Sequence, residues 1–431
     1  AARMAWFSSP PPPPAVLPSM QTTTFTVTLP FALEELLPFV VAALLIVLGW
    51  LLWHPSVPQV KVPLEPDEAA DVLDGPEPSV ATDGNDHIRC YDPSTGRLLG
   101  SVRASSASDV AEAVAKARAA QKTWASSSFA QRRKLLRILS RCALEHAEDI
   151  CRISARDSGK TTTDAAFGEV LVTLEKLSWL CAEGEAALRP ERRSAGRMLF
   201  YKTARVEWHP RGVVGAIVPW NYPFHNILNP VSAALFSGNG IVVKVSEHAA
   251  WSMSFYKRMI ERCLAAAGAP TDLVQLVTGY GETGAALTAA VELMTFVGST
   301  RVGKMVMASA SKTLTPVVLE LGGKDPFVLL KGSAVDAIAD TAARAGWGAG
   351  GQNCIGAERF LVHASLVDRF VDRLSAIGAT MRQGPPLNAA GNTGIDIGAL
   401  CLPGEAERIG GLVSDAVRCG ARVVTGGQRA T

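Results

Sequence analysis

From Val213 onward, short apolar runs alternate with stretches whose apolar positions recur at helical spacing. Val213–Val218, Ile241–Val245, Asp272–Val277 and Leu293–Val297 read as buried strands with helices between them. This alternation predicts βαβ units and a parallel sheet. Such sheets take ligands outside the carboxyl ends of their strands. The loops at those ends are Pro219–Pro223, Ser246-Glu247, Gly279–Gly284 and Gly298–Gly303, and most of the unusual residues fall there. No internal repeat is visible.

The preceding stretch has a different pattern. Cys90-Tyr91-Asp92-Pro93 to Leu98-Leu99-Gly100 predicts a short hairpin. Ser108 or Asp109 is placed to cap a helix that buries Val110, Val114 and Ala117. A second helix begins near Ala130 with Leu135, Leu136, Leu139 and Cys142 on one face. Its basic residues, Arg132, Arg133, Lys134 and Arg137, read as a solvated face or one resting on lipid headgroups. Helices continue past Thr163 to about Ala187. Residues 197–212 alternate in part (Met198, Phe200, Lys202, Val206, Trp208), which predicts a two-stranded extension.

The N-terminal region is patterned differently again. Proline-rich and Ser/Thr-rich residues are followed by Leu36 to Trp53, eighteen residues without a charge. At a helical rise this covers about 27 Å, close to a bilayer's hydrocarbon thickness. Trp50 and Trp53 suit a membrane interface. A signal peptide would want a basic start and a small-residue cleavage site, and a core helix this uniformly apolar fits poorly between proline-rich flanks. A single membrane anchor over about 36–53, inside a segment 1–58, is the expectation. From Glu65 to Asp86 there are eight acids and no lysine or arginine. Residues 59–88 therefore read as a solvated acidic linker, more readily than as a site for a basic partner.

Composition narrows the function classes. The chain has 431 residues, 48% of them hydrophobic, which allows two or three domains with large cores. A formal net charge of +2 with 19% charged residues carries no polyanion signal, so no nucleic-acid partner is expected. Of the eight cysteines none forms a C-x-x-C pair or lies near histidines at metal-ligand spacing. A reducing compartment and no metal site are expected.

One cysteine stands apart. Gly351-Gln352-Asn353-Cys354-Ile355-Gly356 sets a thiol among small and polar residues, with glycines that let the backbone bend and a ligand approach. Most cysteines are small core hydrophobes. Glu320 in Glu320-Leu321-Gly322-Gly323-Lys324 would singly read as a solvated acid, and Asn221 in Pro219-Trp220-Asn221-Tyr222-Pro223 as a turn residue. Together they supply a thiol, a carboxylate and an amide, the parts needed to attack a carbonyl, hold an oxyanion and activate water. Phe296-Val297-Gly298-Ser299-Thr300 follows a strand and opens a helix, where small residues let a pyrophosphate reach the helix N-terminus. A plain tight turn would look the same. Lys244 and Glu247 can hydrogen-bond a ribose diol, and Glu247 disfavours a 2′-phosphate; singly they read as a surface ion pair.

With these residues laid out, the chain resembles the aldehyde dehydrogenases. P-W-N-Y-P, K-V-S-E, F-V-G-S-T, E-L-G-G-K and G-Q-N-C occur in that family's order and at its usual separations. The resemblance covers roughly Cys90 to Thr431 and is nearest to a membrane-anchored branch of plants and fungi, plant family 22. It implies an α/β fold with a Rossmann-type nucleotide-binding domain (89–196 and 213–318), a bridging β-hairpin (197–212), an α/β catalytic domain (319–431) and the N-terminal transmembrane helix. It implies Cys354 as nucleophile, Asn221 in the oxyanion hole and Glu320 as general base. Lys244 and Glu247 would hold the adenosine ribose of NAD, or of NADP, and Gly298, Ser299 and Trp220 would complete the cofactor site. The activity implied is NAD(P)-dependent oxidation of an aldehyde to a carboxylic acid through a cysteine thiohemiacetal and thioester. A CoA-acylating relative and an inactive membrane-tethered relative are the alternatives. The resemblance further implies a downstream E-x-F-G-P glutamate on the nicotinamide ribose and a C-terminal oligomerisation strand, which the complete protein is expected to carry as a homo-oligomer. A single-pass protein of the endoplasmic reticulum, with its catalytic domain in the cytosol, is the expected location.

Overall fold

The computed structural model describes residues 40–42, 44, 45, 57–78, 86–387 and 394–429. The chain divides into two units, Ala1–Ser56 and Val57–Thr431. In the first, the described residues 40–42, 44 and 45 are helical and exposed. The expected anchor over 36–53 otherwise lies outside the described residues, among which no helix is long and apolar enough to cross a membrane.

The second unit is built on a five-stranded parallel sheet. Two antiparallel strands come first, β1 (His87–Tyr91) and β2 (Leu98–Arg103). The sheet consists of β5 (Val213–Ile217), β6 (Gly240–Val245), β7 (Val274–Thr278), β8 (Leu293–Gly298) and β9 (Val317–Leu321), in the order β7-β6-β5-β8-β9. All of β6 is buried, as expected of a parallel strand covered by helices on both faces. The strand order reverses at β5, which pairs with β6 on one side and β8 on the other. That reversal opens a crevice at the carboxyl ends.

The covering helices follow from local signals. Ser106, not Ser108 or Asp109, caps helix Ala107–Trp124, and Asp109 closes the capping box from the other side. Its apolar stripe of Val110, Val114 and Ala117 packs in one core cluster with Val213, Val242 and Met294. Helix Phe129–Glu145 buries Leu135, Leu136, Ile138, Leu139 and Cys142. Its basic face is not simply solvated. Arg132 is buried, and its guanidinium donates to the main-chain oxygens of Phe236 at 3.1 Å and Ala125 at 3.0 Å. Arg133 pairs with Glu185 at 2.5 Å. An arginine with a neighbouring helix C-terminus to satisfy packs inward despite its charge.

Two expected boundaries move. The extension expected over 197–212 is formed by β3 (Glu191–Arg193) and β4 (Ala204–Val206), antiparallel, with Arg197–Leu199 in a 3-10 turn between them. β3 is three exposed polar residues and so leaves no alternation to read. The sheet also extends past the division expected at 318/319, because Val317-Val318-Leu319 continues it as β9 before Gly322-Gly323 ends the strand. Glu320 therefore stands on an edge strand of the five-stranded sheet. Beyond it, parallel strands β10 (Asp325–Leu329) and β11 (Ala357–Val362) build a second, smaller core from Leu329, Val335, Ala342 and Phe370.

The acidic linker is corrected over its first residues. Val60 and Val62 are buried in the core cluster that holds Leu135 and Cys142. Pro66–Ala69 forms a short helix, and Glu68 is 4% exposed. Arginines fasten this stretch to the domain. Arg262 donates to the Lys61 oxygen at 3.1 Å, Arg152 to the Glu68 oxygen at 3.1 Å and Arg156 to the Asp71 oxygen at 2.9 Å. Arg258 pairs with the Glu68 carboxylate. A run of acids reads as solvated only while its partners, far off in sequence, are unseen. Glu68→Ala leaves the Arg258 guanidinium without its carboxylate and is expected to cost about 2 kcal/mol in urea unfolding. Asp74→Ala, at an exposed position, should lie within about 0.5 kcal/mol of wild type.

Candidate active site

At the crevice, the loops after β5, β6, β7 and β8 enclose a cavity of about 550 Å³. Its lining includes Trp220, Lys244, Glu247, Gly298 and Ser299, so every residue marked for cofactor binding meets there. Lys244 Nζ lies 3.2 Å from Glu247 Oε2. Burial works to raise the Glu247 carboxyl, but the Lys244 ammonium, the main-chain N–H of Glu247 and His248 outweigh it and hold it below its ordinary value. Ser299 caps helix Thr300–Ala310 by accepting the Val302 N–H at 3.4 Å. The N–H groups of Thr300 and Arg301 have no partner among the described residues and can meet an anion. A Cβ on Gly298 would come within 2.7 Å of the Phe296 ring, so the turn below the helix start has no room for a side chain there. A cavity of this volume, with a diol-binding pair at one wall and a helix N-terminus at another, suits a dinucleotide.

Beside the cavity the sheet delivers Glu320. In the β8–β9 register Val297 pairs with Glu320 and Gly298 with Leu321. The Glu320 carboxyl group thus stands one strand over from the Ser299 turn, at an exposed position.

Cys354 arrives from the smaller sheet. After helix Val335–Trp347, Ala349, Gly350 and Gly351 take φ of 53°, 67° and 77°. Successive left-handed residues reverse the chain sharply, and at the buried Ala349 this carries strain. The next residue anchors the turn with its side chain. Gln352 Nε2 donates to the oxygens of Ala349 at 2.9 Å and Ala399 at 3.3 Å, while Oε1 accepts the Cys401 N–H at 2.8 Å. The Gln352 main-chain oxygen accepts Asn221 Nδ2 at 3.0 Å. The thiol is half-buried, and burial, then the Glu320 and Asp325 carboxylates, push its pKa up. The main-chain N–H groups of Cys354 and Ile355 work the other way, and the Ile355 N–H itself donates to Asn353 Oδ1 at 3.3 Å. Asn221 thus bonds the loop that carries Cys354, and the Glu320 carboxylate stands near enough to the thiol to act on it.

The family model of the aldehyde dehydrogenases matches residues 80–431. The chain belongs to the aldehyde dehydrogenase family. It is 41% identical over 344 residues to a putative aldehyde dehydrogenase-like protein of Schizosaccharomyces pombe, covering 79% of this chain and 65% of that one. It is 41% identical over 357 residues to a putative aldehyde dehydrogenase-like protein of Saccharomyces cerevisiae, covering 79% and 55%. The chain thus spans less than two thirds of the length of these two relatives. Among solved structures, the NAD+ complex of an aldehyde dehydrogenase from Bacillus cereus superposes with a TM-score of 0.74 at 27% identity, over 86% of this chain and 75% of that one. An aldehyde dehydrogenase from Brucella melitensis biovar abortus gives 0.74 at 29% identity, over 82% and 71%.

In this chain the loop carrying Asn221 rests on a buried ion pair that no sequence pattern marks. Lys160 Nζ lies 2.5 Å from Glu169 Oε1, with the side chains 2% and 0% exposed. Ser154 Oγ donates to the same oxygen at 2.5 Å and accepts from Lys160 at 3.1 Å. Glu169 Oε2 accepts the His225 N–H at 2.8 Å, and Lys160 Nζ sits 4.7 Å from the Tyr222 ring centre. Glu169 lies in a π-helical turn, Ala166–Leu171, a feature that concentrates at functional sites. At Gly168 a Cβ would come within 2.2 Å of the Tyr222 ring, so only glycine lets that ring seat. The pair joins residues nine apart whose burial is set by distant helices, which is why the sequence does not show it.

Lys160→Met would strand the Glu169 carboxylate in the interior and should cost about 3–5 kcal/mol in urea unfolding. A second prediction concerns the thiol. The Glu320 carboxylate raises the Cys354 pKa, so Glu320→Gln lowers it and enlarges the thiolate fraction at any pH below that pKa. Iodoacetamide labelling of the Cys354 peptide between pH 7 and 9, followed by mass spectrometry, should be faster in Glu320→Gln than in wild type. Unchanged labelling would place the carboxylate out of reach of the sulfur, and slower labelling would show that it promotes the thiolate instead.

Proposed function

We propose that the full-length protein oxidises an aldehyde to a carboxylic acid with NAD(P), using Cys354 as nucleophile. The observation that carries this reading is the hydrogen bond from Asn221 to the cysteine loop, made by the residue next to Trp220 in the cavity wall. The Cys354 sulfur, once deprotonated, forms a C–S bond with the aldehyde carbon. The oxyanion of that adduct meets the Asn221 amide and the Cys354 N–H, and one such donor is worth about 2.7–4 kcal/mol in the transition state. The chemistry a bound nicotinamide supplies here is two-electron acceptance, the difference between an aldehyde adduct and a thioester. Lys244, Glu247, Trp220, Gly298 and Ser299 would hold the dinucleotide, and Glu247 favours NAD over NADP. Glu320 then takes a proton from water, whose oxygen attacks the thioester carbon; the C–S bond breaks and the acid leaves.

A CoA-acylating reaction is the second reading, and Glu320 weighs against it, because a thiol acceptor does not need that base. The apolar stretch 36–53 belongs to the proposal as a membrane anchor, which makes aldehydes with long alkyl chains natural substrates. The test is NAD reduction by the full-length protein over aldehydes of increasing chain length, with and without CoA. Turnover independent of CoA, and absent in Cys354→Ala, is expected. A CoA requirement would select the acylating reading, and NADH formation by Cys354→Ala would remove the covalent scheme.

A further inference from the structure

An asparagine serves an oxyanion only if its amide presents N–H, not C=O, to the reacting atom. The side chain does not fix this itself, because its terminal torsion is broad and roughly two-fold. Its neighbours must. Asn221 Nδ2 donates to the Gln352 main-chain oxygen at 3.0 Å, and Asn226 Nδ2 donates to Asn221 Oδ1 at 3.2 Å. A main-chain oxygen can only accept and an amide NH2 can only donate. If the Asn221 amide turned over, oxygen would face oxygen and NH2 would face NH2. The Gln352 oxygen therefore admits a single orientation, and Asn226 supports it from the other side with the NH2 it presents. That orientation uses one of the two Nδ2 hydrogens on Gln352 and leaves the other without a partner among the described residues.

Asn226 is well placed to hold this arrangement. It lies in the first turn of helix Pro223–Phe236, and its own N–H bonds the Tyr222 oxygen at 2.9 Å. Pro223 opens the helix with a fixed φ, and the Glu169 bond to the His225 N–H pins the residue before Asn226. The donor is thus carried on a rigid turn anchored from below.

We infer that Asn226 is the positioning residue of the oxyanion site: its side-chain amide helps hold Asn221 with an N–H directed at the oxygen of the carbon bonded to Cys354. This rests on the function proposed above. Asn226 touches no reacting atom and acts only through Asn221.

A double-mutant cycle in the full-length protein tests it, with steady-state kinetics on an aldehyde the wild type oxidises. Asn226→Ala should lower kcat about tenfold, less than the hundredfold or more expected when Asn221→Ala removes the donor, and leave KM for NAD unchanged. Asn226→Asp, almost the same shape, keeps the test sound if the alanine variant folds poorly. Its carboxylate cannot donate to Oδ1 and favours the turned-over amide, so it should lose at least as much. In an Asn221→Ala background, Asn226→Ala should cost nothing further. Full additivity of the two substitutions, or a raised KM with unchanged kcat, would overturn the inference while leaving the aldehyde oxidation in place. Unchanged kcat in Asn221→Ala would overturn it together with the oxyanion role beneath it. Absence of wild-type turnover on the whole panel would instead sink the proposed function.

Discussion

The hydrogen bond between Asn221 Nδ2 and the Gln352 main-chain oxygen joins two parts of the fold that share no sheet. Asn221 follows β5 of the five-stranded sheet, and Gln352 precedes β11 of the two-stranded one. Around this bond the contacts close into a ring. The Gln352 side chain holds Ala399 and Cys401, and the Ala399 N–H bonds the Gly159 oxygen at 2.8 Å. Lys160 follows Gly159 and pairs with Glu169, and Glu169 holds the His225 N–H on the Asn221 loop. Each link fixes backbone or a buried side chain, so the position of the amide relative to the thiol is set by the packing of both cores. Such support from behind is what a reaction centre needs if its groups are to stay within a fraction of an ångström of their working geometry.

The electrostatics of the cleft follow from the same placement. Burial and the nearby Glu320 and Asp325 carboxylates favour the protonated thiol. A cysteine so placed is quiet at rest, and its proton must go to a base before it can attack. The neighbouring main-chain N–H groups of Cys354 and Ile355 offset part of that cost. The carboxylate that restrains the thiol is also the one proposed to activate water. One charge at one strand end can therefore serve both restraint and release.

Much of this was legible in the chain. The strands from Val213 to Val297 announced themselves as apolar runs, because a parallel strand covered on both faces has no polar side to hide. The loops at their ends held Trp220, Lys244, Glu247, Gly298 and Ser299, and those residues line one cavity. What escaped reading shares a physical cause, dependence on partners distant in sequence. Glu68 looked solvated until Arg258 was seen against its carboxylate, with Arg152 and Arg156 on the main-chain oxygens of the same stretch. Arg132 looked exposed until a helix end was found to need its guanidinium. β3 carries three polar residues and is defined only by its pairing with β4. The Lys160–Glu169 pair and the Asn226 contact depend on how helices meet, which periodicity does not encode.

In the proposed reaction Cys354 carries the substrate and Glu320 releases it. Rapid quenching of the full-length Glu320→Gln variant mixed with aldehyde and NAD, followed by peptide mass spectrometry, addresses it most directly. The account predicts one equivalent of NADH formed in a burst and an acyl adduct that persists on the peptide containing Cys354. An adduct on another cysteine, or steady turnover at the wild-type rate with no adduct retained, would contradict it.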